Sequence, residues 1–271
     1  MSGIVSGPLL RHTWRANRAR VAVIALALAV WGFLMPVIYA TFGRQLEALV
    51  SSGIIPTAFL RFLGADPFSL NGAVALGAVH PIAIALQVVY PVGFAAAAIA
   101  GERQRGTLEV LLSRPISRRS LFLTLLVAIV SFAVITTVAQ LAGTVIAAAV
   151  YGVADQLDAG AILFLGLNTI VFLGAMTAIS LAASACFDRL TPAIGIALGV
   201  VLVGYVLDIL GTLWPDAEGV QPLSPFHYLR PLEILARRGA IGDIVVLAAL
   251  GAIAVAFGLW RFPRRDIAAP A

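Results

Sequence analysis

Charged residues along this chain are gathered into short clusters, and between the clusters run long stretches that carry none. Residues 21–43, 67–101, 120–154, 159–187 and 244–260 are free of charge, and 190–215 holds a single acid, Asp208. A helix that crosses a bilayer needs about 20 apolar residues, with a range of about 17–25. The runs therefore predict six spans, at 21–41, 75–99, 121–150, 160–186, 191–213 and 243–260. Two runs, 67–101 and 120–154, are too long for one span and too short for two with a turn. Each is read as one span with an extension along the interface. Pro81 and Pro91 are expected to bend the second helix, because proline lacks the N–H that the helical ladder uses. The first run does not read as a cleaved signal peptide, since its apolar part is too long and no small-residue site follows Met35-Pro36. The expected fold is an all-α integral membrane protein with six transmembrane helices, forming one domain over 1–271.

Composition agrees with that pattern and excludes several chemistries. Of 271 residues, 61% are hydrophobic and 11% charged, and the mean hydropathy is +1.01. A soluble domain carries about 25% charged residues, and a soluble globule of this size cannot hide so much apolar surface. Cys186 is the only cysteine, which excludes a disulfide scaffold. All 18 basic residues are arginine. Without lysine the chain has neither a Walker A loop nor a Schiff-base amine. The three histidines, His12, His80 and His227, are too widely spaced to form a local metal site. A net charge of +5 reads as topology and affinity for anionic headgroups rather than as nucleic-acid binding.

The arginines also give an orientation. Arg11, Arg15, Arg18, Arg20, Arg103, Arg105, Arg114, Arg118, Arg119, Arg189, Arg261, Arg264 and Arg265 fall on one side of a six-span arrangement. Only Arg44, Arg61, Arg230, Arg237 and Arg238 fall on the other. The positive-inside bias then puts both termini in the cytoplasm. In the tail before the first span, Arg11, Arg15 and Arg18 share one helical face, and Leu10, Trp14 and Val21 share another. Residues 1–20 are therefore expected to form an interfacial helix, the other reading being a solvated basic tail. On the far side, 44–63 is expected to form an amphipathic cap. The outer loop 214–242, broken by Pro215, Pro222, Pro225 and Pro231, is expected to carry a short amphipathic helix over 229–238 that anchors at the interface.

The loop 101–120 is the most informative segment. Thr107 is placed to cap a short helix, and Glu109 lies in its first turn, where the helix dipole favours an acid. Leu108, Leu111 and Leu112 form an apolar stripe, Pro115 stops the helix, and Ser117 caps the next span. A short amphipathic helix between two long spans is a docking element for a cytoplasmic partner or for the bilayer surface, and its physical chemistry alone leaves both open.

This loop resembles the signature of the type-2 permease family of ATP-binding-cassette transporters, whose members are mostly exporters. Glu102, Gly106, Thr107, Leu108, Glu109, Leu111, Leu112, Pro115, Ser117 and Arg118 match the family pattern. Phe62-Leu-Gly-Ala-Asp66, Ser224-Pro-Phe-His-Tyr228 and Phe262-Pro-Arg-Arg-Asp266 are similar to further family segments. One departure is that Thr124 occupies the region where the family often carries a lysine. The resemblance implies a non-catalytic permease that moves a hydrophobic or amphipathic substrate outward. It implies pairing with the same or a sister permease, and two copies of an ATP-binding-cassette ATPase that bind the ATP and Mg. This chain itself would then carry no cofactor, and nucleic acid is not among the expected partners. Its place would be the prokaryotic cell membrane. Glu102 to Arg119, with Arg103, Arg105 and Arg114 among them, would be the ATPase contact.

Outside the loop, Asp208 is an acid within a span and a candidate for the substrate path. Gln87, Gln140 and Asn168 are candidates for the same path or for interhelical hydrogen bonds. Gly195 and Gly199 form a GxxxG pair suited to a dimer seam. His80, His227 and Cys186 read as interfacial or packing residues. Two other classes stand beside the transporter: a membrane anchor or sensor that recruits an ATPase without transport, and an integral membrane enzyme. The enzyme is disfavoured because no acid, histidine and nucleophile gather at one depth.

Overall fold

The computed structural model describes residues 4–52 and 69–265. Among these the chain is helical and contains no strand, and six helices are long and apolar enough to cross a membrane. They are α1 (Gly7–Ser51), α3 (Pro81–Gln104), α5 (Arg118–Val150), α6 (Ala159–Cys186), α7 (Leu190–Leu213) and α9 (Ile241–Arg261). Three short helices connect them: α2 (Leu70–Val79), α4 (Leu108–Leu112) and α8 (Pro231–Leu235). The Phe62–Asp66 segment and Asp266 lie outside the described residues.

The spans agree with the charge-free runs, and the differences have local causes. The expected interfacial helix 1–20 and span 21–41 are one unbroken helix, α1, which continues to Ser51 and so absorbs the start of the expected 44–63 cap. No glycine or proline interrupts it between Pro8 and Gly32. Its stripe of Leu9, Thr13, Asn17 and Val21 is buried. Leu9 packs with Leu121, Phe122 and Leu125, and Val21 with Ala128 and Phe132, so this apolar face lies on α5 rather than on lipid. Higher up, a Cβ on Gly32 would come within 2.1 Å of the Gln140 carbonyl oxygen, and one on Gly143 within 2.0 Å of that of Ala29. The two backbones touch there, as small residues permit.

The second span is broken rather than bent. His80 is extended, at φ −62° and ψ 141°, because a residue before proline is driven out of the helical region. The expected span 75–99 is thereby divided between α2 and α3, and the Nδ1 of His80 caps α3 by accepting from the Ile82 N–H at 3.2 Å. Within α3 a π-turn over Ala85–Val89 precedes Pro91 and takes up the rung that proline leaves open. In the 120–154 run, α5 is one continuous helix from Arg118 to Val150, so the surplus prolongs the helix.

Helix α6 is central, packing against α3, α5, α7 and α9. Phe172, Leu173 and Met176 of α6 meet Val88 and Val92 of α3, Ala197 and Val201 of α7 and Leu247 of α9 in the main core. The 214–242 loop is compact. Short 3-10 turns at Pro215–Leu223 and Pro225–Tyr228 precede α8, whose Ile234 and Leu235 are buried beside Leu70, Val74 and Leu165. The amphipathic anchor expected over 229–238 is thus a five-residue helix that spends its apolar side on its own bundle. Both described ends of the chain meet the 101–120 end of the bundle. The Ser6 N–H donates to Thr124 Oγ1 at 2.9 Å, and Arg118 donates to the carbonyls of Phe262 and Pro263 at 3.3 and 3.2 Å.

Candidate functional site

The loop between α3 and α5 starts with a tight reversal. Gly106 has φ +71°, a left-handed conformation in which a side chain is strained. The Gly106 N–H donates to the Arg103 carbonyl and the Thr107 N–H to the Glu102 carbonyl, both at 2.9 Å. This is the paired bonding of a Schellman end, which closes off the last carbonyls of α3. The Glu102 carboxylate locks the turn from outside, accepting from Thr107 Oγ1 at 2.5 Å and from Arg105. The Glu-x-x-x-Gly-Thr spacing therefore sets the angle at which α4 leaves α3. Thr107 does stand at the N-cap position, but its hydroxyl turns back to Glu102 and does not cap α4. Ser117 caps α5 as expected, its Oγ accepting from the Ser120 N–H at 3.1 Å.

Helix α4 presents a different face from the one the leucine stripe implies. Leu108 is 2% exposed, and Leu111 and Leu112 pack against the cluster of Leu9, Ile99, Leu121 and Phe122. Leu108 is thus turned onto the ends of α3 and α5 rather than outward, while Leu111 and Leu112 are half-buried beside it. A five-residue helix on a tight turn has no other apolar support. The outward face is made of Glu109, Val110, Ser113, Arg114 and Pro115, and Val110 is 66% exposed.

An ion-pair node stands beside this loop. Asp188, between α6 and α7, accepts from Arg103 Nε at 2.7 Å and from Arg265. Arg265 also donates to the Ala185 carbonyl at 3.0 Å, and the Leu190 N–H donates to Gln104 Oε1 at 2.8 Å. The end of α3, the α6–α7 turn and the segment after α9 thus meet at one carboxylate. Sequence reasoning passed over Asp188. Its available signal was that of an acid among the arginines of one side. Thr124, where the family often has lysine, is fully buried and ties α5 to residue 6 ahead of α1, a place where a lysine ammonium would be costly.

The candidate path residues do not line one passage in this chain. Gln87 donates to Gln140 Oε1 at 2.9 Å, and Gln140 donates to the Gly77 carbonyl at 3.3 Å. Trp31 Nε1 reaches the same carbonyl at 2.8 Å. These bonds surround a cavity of about 20 Å³, room for one water. Asn168 lies elsewhere, donating to the Tyr228 carbonyl at 3.0 Å. Asp208 is half-buried near the C-terminal end of α7, where its backbone carbonyl accepts from Gln221 at 3.0 Å. Arg230 acts on it electrostatically, pairs with Glu233 at 3.6 Å and lies 3.2 Å from His227 Nε2. Burial first, and the Arg230 charge second, push the His227 imidazole below its ordinary pKa. A Cβ on Gly195 or Gly199 meets nothing within 4 Å, so both glycines face away from this bundle.

The family profile described as ABC-2 family transporter protein matches residues 15–267. No curated protein and no solved structure matches the chain. With six apolar helices and a family match over nearly its whole length, the chain belongs to the ABC-2 family of transporter membrane proteins.

Proposed function

We propose that this chain is the permease subunit of an ATP-binding-cassette exporter, working with ATP and Mg bound and hydrolysed by two copies of a separate cytoplasmic ATPase. The observation that carries the reading is the construction of α4. It is aimed by the Glu102–Gly106–Thr107 turn, backed by the buried Leu108 and joined through Arg103 to the Asp188 node. A push on its outward face is therefore passed to α3, to the α6–α7 turn and to the C-terminal segment without a flexible joint. In this reading both termini are cytoplasmic, in a prokaryotic plasma membrane. A second copy or a sister chain pairs along the face of Gly195 and Gly199, where Leu202, Val203 and Val206 are also exposed. A hydrophobic or amphipathic substrate moves along that seam, past Asp208, as the pair switches between two states.

The docking surface is then Glu109, Val110, Ser113 and Arg114 rather than the leucines. Val110→Asp combined with Arg114→Glu should abolish co-purification of the ATPase while the permease keeps its thermal stability. Full binding by that variant would refute the reading. Binding without substrate-stimulated ATP hydrolysis in liposomes would instead identify an ATPase-recruiting anchor.

A further inference from the structure

A groove of about 950 Å³ opens at the arginine-rich end, between the start of α1, the end of α3, the loop around α4 and the start of α5. Its floor is apolar: Phe94 and Ala98 from α3, Leu121 and Leu125 from α5. These residues belong to the charge-free runs 67–101 and 120–154, which continue into the membrane-spanning helices α3 and α5. Its walls are cationic. Arg20 comes from the α1 stripe of His12, Ala16 and Arg20, and Arg105 and Arg114 come from the loop. Arg105 is engaged by Glu102. Among the described residues, neither Arg20 nor Arg114 has an ion-pair partner.

The depth of Arg20 sharpens the point. Its neighbour Val21 packs on Ala128 and Phe132. Ala128 is ten residues beyond Arg118, roughly 15 Å along α5 at 1.5 Å per residue. A cation at that level needs an anion or a route to the headgroups. Cα–Cβ bonds tilt toward a helix N-terminus, which on α1 means toward the mouth of the groove. An apolar floor under unpaired arginines matches an amphiphile with acyl chains and one phosphate.

We propose that this groove holds an anionic phospholipid of the leaflet on the arginine-rich side, its phosphate between Arg20 and Arg114 and an acyl chain over Phe94, Ala98, Leu121 and Leu125. Arg114 also lies on the face proposed above for ATPase docking, so the test uses the permease without its ATPase and reads lipid alone. Purified protein is titrated with dioleoylphosphatidylglycerol or dioleoylphosphatidylcholine in detergent and analysed by native mass spectrometry. Both lipids carry a phosphodiester, but choline neutralises that of the zwitterionic one, so with about a fivefold gain for each arginine near a net negative headgroup the anionic lipid should bind about 30-fold more tightly. Arg20→Gln with Arg114→Gln should reduce phosphatidylglycerol to the phosphatidylcholine level. Ala98→Trp should remove both lipids, and Glu102→Gln, which releases Arg105, should tighten phosphatidylglycerol alone. Equal binding of the two lipids by the wild type, or unchanged preference in the double arginine variant, would overturn the proposal and leave the groove to a protein partner. If the double variant does not fold, absence of any gain in Glu102→Gln overturns it instead.

Discussion

At the end of the bundle that carries the 101–120 loop, charged side chains join elements that are far apart in sequence. Asp188 alone gathers Arg103 and Arg265, and Arg118 holds the residues after α9 by their carbonyls. The opposite end has ion pairs as well, Arg237 with Asp158 and Arg230 with Glu233, but its remaining cross-element contacts are neutral bonds and packing. Ser224 Oγ donates to the Gly204 carbonyl at 2.7 Å, Asn168 to that of Tyr228 at 3.0 Å, and Gln221 to that of Asp208 at 3.0 Å. Phe226 fills the space between Phe172 and Tyr205 with edge-to-face contacts. Ion pairs to a shared carboxylate transmit displacement because all partners move with it. A neutral plug separates when its packing is undone.

The sharpest way to break this comparison is to attack the support of α4. Leu108→Asp places a charge at a position that is 2% exposed, and a core defect of this kind costs about 3–5 kcal/mol. Thermal unfolding in detergent should show a large loss for Leu108→Asp and almost none for Val110→Asp, because surface changes stay within about 0.5 kcal/mol. Equal losses would mean that α4 is not seated as described.

That pair of variants also marks how far the sequence could be read. The six spans were legible because arginines and acids punctuate the chain, and a bilayer tolerates few charges between them. The loop helix was legible from Thr107 to Pro115, including its short length. Its facing was not. An apolar stripe on a short helix looks the same whether it covers its own bundle or a partner, and only the backing of Leu9, Ile99 and Phe122 decides. The break at His80 was hidden for a related reason, since Pro81 permits either a kink or a fresh start. The start was chosen by His80 Nδ1, which caps the new helix. The node escaped notice because Asp188 pairs with residues 85 and 77 positions away, distances at which periodicity carries no information.

A smaller effect separates the two ends by their response to salt. Asp188→Asn should remove about 1–2 kcal/mol, since charged hydrogen bonds are lost but the carboxylate is 56% exposed and already screened. Ser224→Ala should cost about 1 kcal/mol by removing the bond to the Gly204 carbonyl and leaving the Phe226 N–H without its acceptor. Raising salt from low to about 1 M shortens the Debye length to about 3 Å. It should shrink the difference between wild type and Asp188→Asn while leaving the Ser224→Ala difference intact. If both differences respond alike, the two ends are not held by different forces.

The smallest expected effect is a pH dependence confined to the end of the bundle that carries the 214–242 loop. His227 lies in the Pro225–Tyr228 turn, outside the spans. Burial and the nearby Arg230 lower its pKa from 6.5, while Asp243, Glu233 and Glu218 act in the opposite sense. With the pKa depressed in the fold, the unfolded chain binds the proton first as pH falls. Stability therefore rises with pH across this window. The contribution is level above about pH 6.5, the unfolded value, and declines as acid brings the group toward its folded value. The mechanism is local: protonation turns Nε2 from an acceptor for Arg230 into a competing cation 3.2 Å away. Thermal unfolding between pH 7.5 and 5 should thus show a modest acid loss that His227→Gln removes, because glutamine keeps an acceptor and does not titrate. Proteolysis of the 214–242 loop should rise over the same window in the wild type, whereas cleavage of the 101–120 loop should stay constant. An acid loss of the same size in His227→Gln would move the titrating group elsewhere, and equal cleavage of both loops would mean that the two ends do not open independently.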